Sequence, residues 1–173
     1  ETIVRRSIPT DTALRGIYRS PTIPNLVVVD LEHAGKSAAL NAGINVSRYP
    51  LFCTIDADSV FQENALLRVV RPFLEDPDRV IAVGGQVRVA NGCKVERGRV
   101  VDPHLPQNIL AAFQVVEYLR AFVASRLGLS AMNNLLILSG VFSLFRKDVV
   151  VEVGGYRSDV VTGIILLSRD GGQ

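Results

Sequence analysis

Two carboxylates, Asp56 and Asp58, stand two residues apart at the end of the run LFCTIDAD, Leu51 to Asp58. Aspartate oxygens are hard donors, and a D-x-D pair suits Mg²⁺ or Mn²⁺, which keep open positions for the oxygens of a diphosphate. The residues before the pair account for its presentation. Leu51 to Ile55 is a short run of apolar, β-branched and aromatic types, which predicts a buried strand of a parallel sheet. Open α/β sheets bind ligands in the crevice beyond the carboxyl ends of their strands, and the two aspartates fall at that edge. A plainer use is open to Asp58 and Ser59: to accept backbone hydrogen bonds in the turn and cap the next helix. A calcium loop of the EF-hand type is excluded. Counting from Asp56 puts Val60, Phe61 and Leu67 where a ligand, a glycine and a bidentate glutamate are required.

Lys36 is the second candidate, in the turn EHAGKS that follows the apolar run NLVVVD, Asn25 to Asp30. A phosphate loop is excluded on spacing, since the position that needs its first glycine is Asp30, and no G-x-G-x-x-G occurs elsewhere. Lys36 nevertheless opens a predicted helix, whose free N-H groups favour an anion. The alternative is a solvated surface charge.

The elements that position these residues follow from the apolar pattern. At 173 residues and 48% hydrophobic, the chain suffices for one domain with a core. Residues 1–24 read as connecting chain, with Ile3 and Val4 the only hint of a strand. Asn25 to Asp30 predicts a strand, Gly35 to about Val46 a helix, and Gln62 to Glu75 a helix burying Ala65, Leu66, Val69, Val70 and Phe73. Val80 to Val89 predicts a strand whose Gly84-Gly85 pair marks a bend or a close backbone approach. This β-α-β-α-β order argues for a mainly parallel sheet with helices on its faces. Residues 91–106 read as a long polar loop. Gln107 to Leu127 predicts one long helix whose stripe, from Ile109 through Val116 to Leu127, serves core packing or an in-plane membrane contact. Leu135 to Arg146 predicts a strand broken at Ser139-Gly140, and Val149 to Tyr156 a helical turn stopped by Gly154 and Gly155.

Charge and cysteines exclude other classes. The net charge of +2 is dispersed, which argues against nucleic acid as a partner. Cys53 and Cys93 make neither a disulfide framework nor a metal cluster with His33 or His104, so a reducing compartment is expected. No signal peptide is expected, and no apolar run of this sequence reaches the ~20 residues of a membrane span. A start without methionine and a polar, glycine-rich end predict a piece of a longer protein.

Taken in order, GKSAALNAGI from Gly35, TIDADS from Thr54, VIAVGGQVRVANG from Val80, QVVEYLRAF from Gln114, SGVFSLFRK from Ser139 and VGGY from Val153 resemble the family 2 glycosyltransferases. The likeness is to their membrane-embedded processive members, which make cellulose, chitin, hyaluronan or poly-N-acetylglucosamine. The resemblance implies a GT-A fold, a Rossmann-like α/β layer, incomplete here at its N-terminal strands. It implies that Asp56 and Asp58 hold Mg²⁺ or Mn²⁺ and the diphosphate of a UDP-sugar donor, with Lys36 beside the donor pocket. It places Ser139 and Gly140 at the acceptor end of the growing glycan, and Gln114 to Phe122 on a helix near the membrane surface. Residues 25–90 then form the donor and metal half, 107–156 the acceptor-side half and 157–173 a divergent tail. The expected location is the cytoplasmic face of the cell membrane, reached through helices outside this chain.

Two departures bear on activity. The family's strand and acidic motif that help hold the uridine would precede Glu1. Its Glu-Asp pair, whose Asp is the general base, would follow Tyr156, where the chain has only Asp159 and Asp170, neither preceded by Glu. The fragment is therefore expected to be inactive by itself, since a general base contributes about 10²- to 10⁴-fold in rate. Two other readings remain: a haloacid-dehalogenase-like phosphohydrolase with Asp56 as nucleophile, and a non-catalytic nucleotide-binding fragment.

Overall fold

A computed structural model describes residues 8–10, 12–120 and 141–157. The chain divides into two compact units, residues 1–52 with 145–173, and residues 53–144.

In the first unit the strand–turn–helix expected from NLVVVD onward is present as β2 (Val27–Leu31) and α1 (Gly35–Val46). What the sequence pattern did not contain is β1 (Leu14–Arg19), which pairs antiparallel with β2, Tyr18 opposite Val28 and Gly16 opposite Asp30. Residues 1–24 are thus not merely connecting chain. Arg15 and Arg19 interrupt the apolar run of β1 and the strand is mostly exposed, so it lacks the apolar alternation that marks a half-buried strand. Ile8, also in that segment, is fully buried. Ile3 and Val4 lie outside the described residues. The core of this unit joins Ile8, Ala38, Ala42 and Ile44 to Phe52, Phe145, Val150 and Tyr156, with the Phe52 and Phe145 rings stacked at 5.5 Å. Past Phe145 the chain enters α4 (Lys147–Glu152), and Gly154 and Gly155 stop that helix with φ of 86° and 79°, the left-handed region that glycine enters freely.

β3 (Leu51–Ile55), β7 (Phe142–Arg146) and β4 (Ala82–Gly84) form a three-stranded sheet in the order β3-β7-β4. With α2 (Ala65–Glu75) between β3 and β4, the succession β2-α1-β3-α2-β4 is the expected α/β alternation.

In the second unit α2 buries Val69 and Phe73, whereas Leu66 is exposed, so its buried face is narrower than the spacing suggested. Gly85 makes the close approach foreseen for the glycine pair. Its N-H donates to the Phe142 carbonyl at 2.9 Å, and a Cβ there would stand 1.9 Å from the Phe142 ring. Residues 91–106 are not an unstructured loop: β5 (Lys94–Glu96) and β6 (Arg99–Asp102) form an antiparallel hairpin. Its two-residue turn has positive φ at both Arg97 (50°) and Gly98 (75°), the backbone that matches strand twist in tight hairpins. α3 (Ile109–Leu119) begins at Asn108, whose side chain accepts from the N-H groups of Leu110 and Ala111. It buries none of its residues, so core packing does not explain its apolar stripe within the described residues, which end here at Arg120. No helix among them is long and apolar enough to cross a membrane.

Candidate functional site

Asp56 and Asp58 leave β3 on a tight turn, closed by the Ser59 N-H donating to the Asp56 carbonyl at 3.0 Å. Asp56 is half-buried and Asp58 exposed. The capping role open to Asp58 and Ser59 falls away, because α2 starts at Ala65 with Asn64 as its N-cap. Thr54 is 3% exposed, and its Oγ1 has no hydrogen-bond partner among the described residues. Burial pushes the Cys53 thiol up to about 11, partly offset by a hydrogen bond from the Ser143 backbone. Cys53 is therefore a neutral packing residue, which accords with its placement in a buried strand.

No group of three His, Cys, Asp or Glu among the described residues could hold a metal ion. Two carboxylates on an open turn suit an ion that keeps most of its ligands as water and phosphate oxygens, the habit of Mg²⁺.

The first unit carries a cavity of about 510 Å³ where β2 runs into α1, lined among others by Tyr18, Asp30, Glu32, His33 and Lys36. Lys36 lies in the first turn of α1, next to Gly35, whose φ of 81° turns the chain into the helix. That turn has no acidic side chain, and its N-cap, Ala34, supplies no side-chain acceptor. A helix start normally attracts carboxylates. Here the first turn carries Lys36, with Asp30 and Glu32 in the same lining, and its backbone N-H groups could meet an anion such as a phosphate.

Two residues that anchor α1 escaped sequence reasoning. Asn41 donates to the Tyr156 carbonyl at 2.8 Å and accepts from the Tyr156 N-H at 2.8 Å, while Asn45 does the same for Ile8, at 2.8 and 2.9 Å. Each side-chain amide thus serves one backbone residue as a neighbouring strand would. Gly155 makes this possible, since a Cβ there would come within 2.6 Å of Asn41 Oδ1. The available signal was a pair of asparagines four residues apart inside a helix, a residue type that favours caps over helix interiors. Ser139 and Gly140, expected on the acceptor side, lie outside the described residues, as do Asp159 and Asp170.

The family model described as glycosyl transferase family 2 matches residues 13–154. Poly-beta-1,6-N-acetyl-D-glucosamine synthase of Staphylococcus aureus (strain COL) is 29% identical over 169 residues, 97% of this chain and 37% of its own length. The protein of the same name from Staphylococcus epidermidis is 28% identical over the same span. The chain thus covers little more than a third of the curated relatives it matches.

Proposed function

The chain belongs to glycosyl transferase family 2, and from that premise we propose that it is part of an inverting enzyme that adds sugars from a UDP-sugar to a growing polysaccharide at the cytoplasmic face of a membrane. The names of the relatives point to N-acetylglucosamine as the sugar. The α/β alternation is consistent with a GT-A fold. The observation that carries the proposal is the Asp56–Ser59 turn at the end of β3, which places two carboxylates two residues apart where the strand ends.

Asp56 and Asp58 would hold Mg²⁺ or Mn²⁺, which when bound stabilises the charge that builds on a departing diphosphate. The chain's own contribution is positional. The turn places the two carboxylates two residues apart at the strand end, and Thr54 is buried in the strand before them. In the first unit, Lys36 and the first-turn N-H groups of α1 would meet phosphate oxygens, and the cavity beside them would take the nucleoside. The family match leaves the phosphohydrolase reading of Asp56 without support.

Calorimetry of the 173-residue chain with UDP and Mn²⁺ tests this. Binding should require Mn²⁺ and weaken at least ten-fold in Asp58→Asn, since one of two metal carboxylates is lost. Equal UDP binding with and without Mn²⁺, or by Asp58→Asn, would remove the metal role from the pair. Hydrolysis of p-nitrophenyl phosphate abolished by Asp56→Asn would restore the phosphohydrolase.

A further inference from the structure

We propose that Thr54 is a positioning residue for the D-x-D pair: its hydroxyl is held in reserve for the Asp56 carboxylate, to which it donates when that carboxylate takes up a divalent cation. The inference deepens the reading of Asp56 and Asp58 given above and rests on it.

Thr54 Oγ1 is the one buried side-chain nitrogen or oxygen among the described residues that has no hydrogen-bond partner. Asn41, also buried and polar, pairs twice with Tyr156. Thr54 is 3% exposed, in a strand whose other residues are Leu51, Phe52, Cys53 and Ile55. A hydroxyl sealed in such surroundings loses its hydrogen bonds to water and gains none from the protein. Packing does not require it. Valine has nearly the same branched shape, suits a strand as well and carries no polar atom. A buried group left unpaired in one state of a protein points to another state in which it is used.

Its place in β3 names the partner. Exposure alternates along the strand, with Phe52 and Thr54 buried between less buried neighbours. Asp56 keeps the alternation just past the strand, half-buried between exposed Ile55 and exposed Ala57. Because residues two apart share a face of an extended chain, Asp56 carries the inward face one step beyond Thr54. Asp58, one step further, is already exposed. A carboxylate has about four lone-pair sites, so it can ligate a cation and still accept from a hydroxyl. Carboxylates that ligate metals are commonly held by such a bond, and losing the group that holds them lowers metal affinity about 10- to 100-fold.

The proposal sets binding against stability. A hydroxyl that weakens the metal-free fold helps the metal-bound one, so its removal should move the two in opposite directions. Thr54→Val removes the hydroxyl and keeps the shape, whereas Thr54→Ser keeps the hydroxyl and removes a methyl group.

Calorimetric titration of the 173-residue chain with UDP at graded Mn²⁺ gives the Mn²⁺ concentration that half-restores binding, and urea denaturation without metal gives stability. Thr54→Val should need about ten-fold more Mn²⁺ than the parent, with a urea midpoint equal to the parent's or above it. Thr54→Ser should need Mn²⁺ within about three-fold of the parent, although its midpoint falls because a buried methyl group is gone. A midpoint below the parent's in Thr54→Val overturns the proposal whatever the Mn²⁺ requirement, because the hydroxyl would then be paired already in the metal-free chain. A Thr54→Ser chain that needs as much Mn²⁺ as Thr54→Val also overturns it, since shape and not the hydroxyl would be at work. So does an unchanged Mn²⁺ requirement in Thr54→Val; beside a raised requirement in Asp58→Asn, that result leaves the D-x-D pair its role. A parent chain whose UDP binding is indifferent to Mn²⁺ overturns both.

Discussion

Asn41 shows how much of the site depends on a residue with no chemistry of its own. Its amide satisfies both backbone groups of buried Tyr156, and α1, which it thereby fixes, carries Lys36 at its other end. Removing the amide strands a buried donor and a buried acceptor, each at a cost of about 1–3 kcal/mol. Asn41→Ala should therefore lower stability by about 2–4 kcal/mol, read as a fall in urea midpoint at unchanged m. Asn41→Asp separates the two halves of the clamp. The carboxylate still accepts from the Tyr156 N-H but sets negative charge against the Tyr156 carbonyl. Its deficit should be largest near neutral pH and shrink on acidification, as the protonated carboxyl regains a donor. A deficit independent of pH would mean that the side chain fills space and does not pair. Asp56 and Asp58 differ from Asn41 in kind: no packing depends on the exposed Asp58, so its loss should cost binding and leave stability nearly unchanged.

At the scale of the element, two glycines should respond oppositely to the same substitution. Gly85 touches the ring of Phe142, which is itself held edge-to-face by Phe61 at 4.8 Å and so has no room to withdraw. Gly85→Ala should cost about 1–3 kcal/mol by overpacking, with part recovered when Phe142→Leu is added. Gly43 sits within α1 on its exposed side, and an added methyl group would meet nothing within 4 Å, so Gly43→Ala should raise stability by about 0.5–1 kcal/mol. Thermal or urea denaturation of the three variants decides both claims. The same elements show what sequence could and could not convey. β2, α1, β3 and α2 were legible because each is an apolar run of one period bounded by turn residues, and the close approach at Gly85 was legible from an unexplained glycine pair. β1 and the β5–β6 hairpin were not, because their residues are largely exposed and charge breaks the pattern. The D-x-D turn and Lys36 were readable as local motifs. The clamps of Asn41 and Asn45 were not, because their partners are 115 and 37 residues away, and the one local sign, two asparagines inside a helix, does not say what they pair with.

For the molecule as a whole, buried or paired titrating groups set how stability varies with pH, and they oppose one another on the alkaline side. Cys53 is raised from 9.0 to about 11 by burial, so the folded chain holds this proton more tightly than the unfolded one. Its contribution is fully present below pH 9 and is lost as pH rises through about 11. Lys147 has the reverse sign. Its ammonium donates to the Ser47 carbonyl at the end of α1, yet burial lowers its pKa below 10.5. The unfolded chain binds that proton more tightly, so stability rises as pH climbs through the lowered value toward 10.5. On the acid side, hydrogen bonds from Arg146 hold the Asp148 carboxyl below 3.8, which adds stability above that pH and loses it as pH falls through the folded value. The alkaline limb is thus a difference between two groups, and single variants separate them. Against the parent, Cys53→Ala should fall less steeply between pH 9 and 11, whereas Lys147→Met should fall more steeply because the compensating rise is gone. Urea midpoints of the three chains across that range provide the check. Parallel curves for the parent and Cys53→Ala would show that the thiol titrates alike in both states, and its burial beneath the Asp56–Ser59 turn would then not hold in solution.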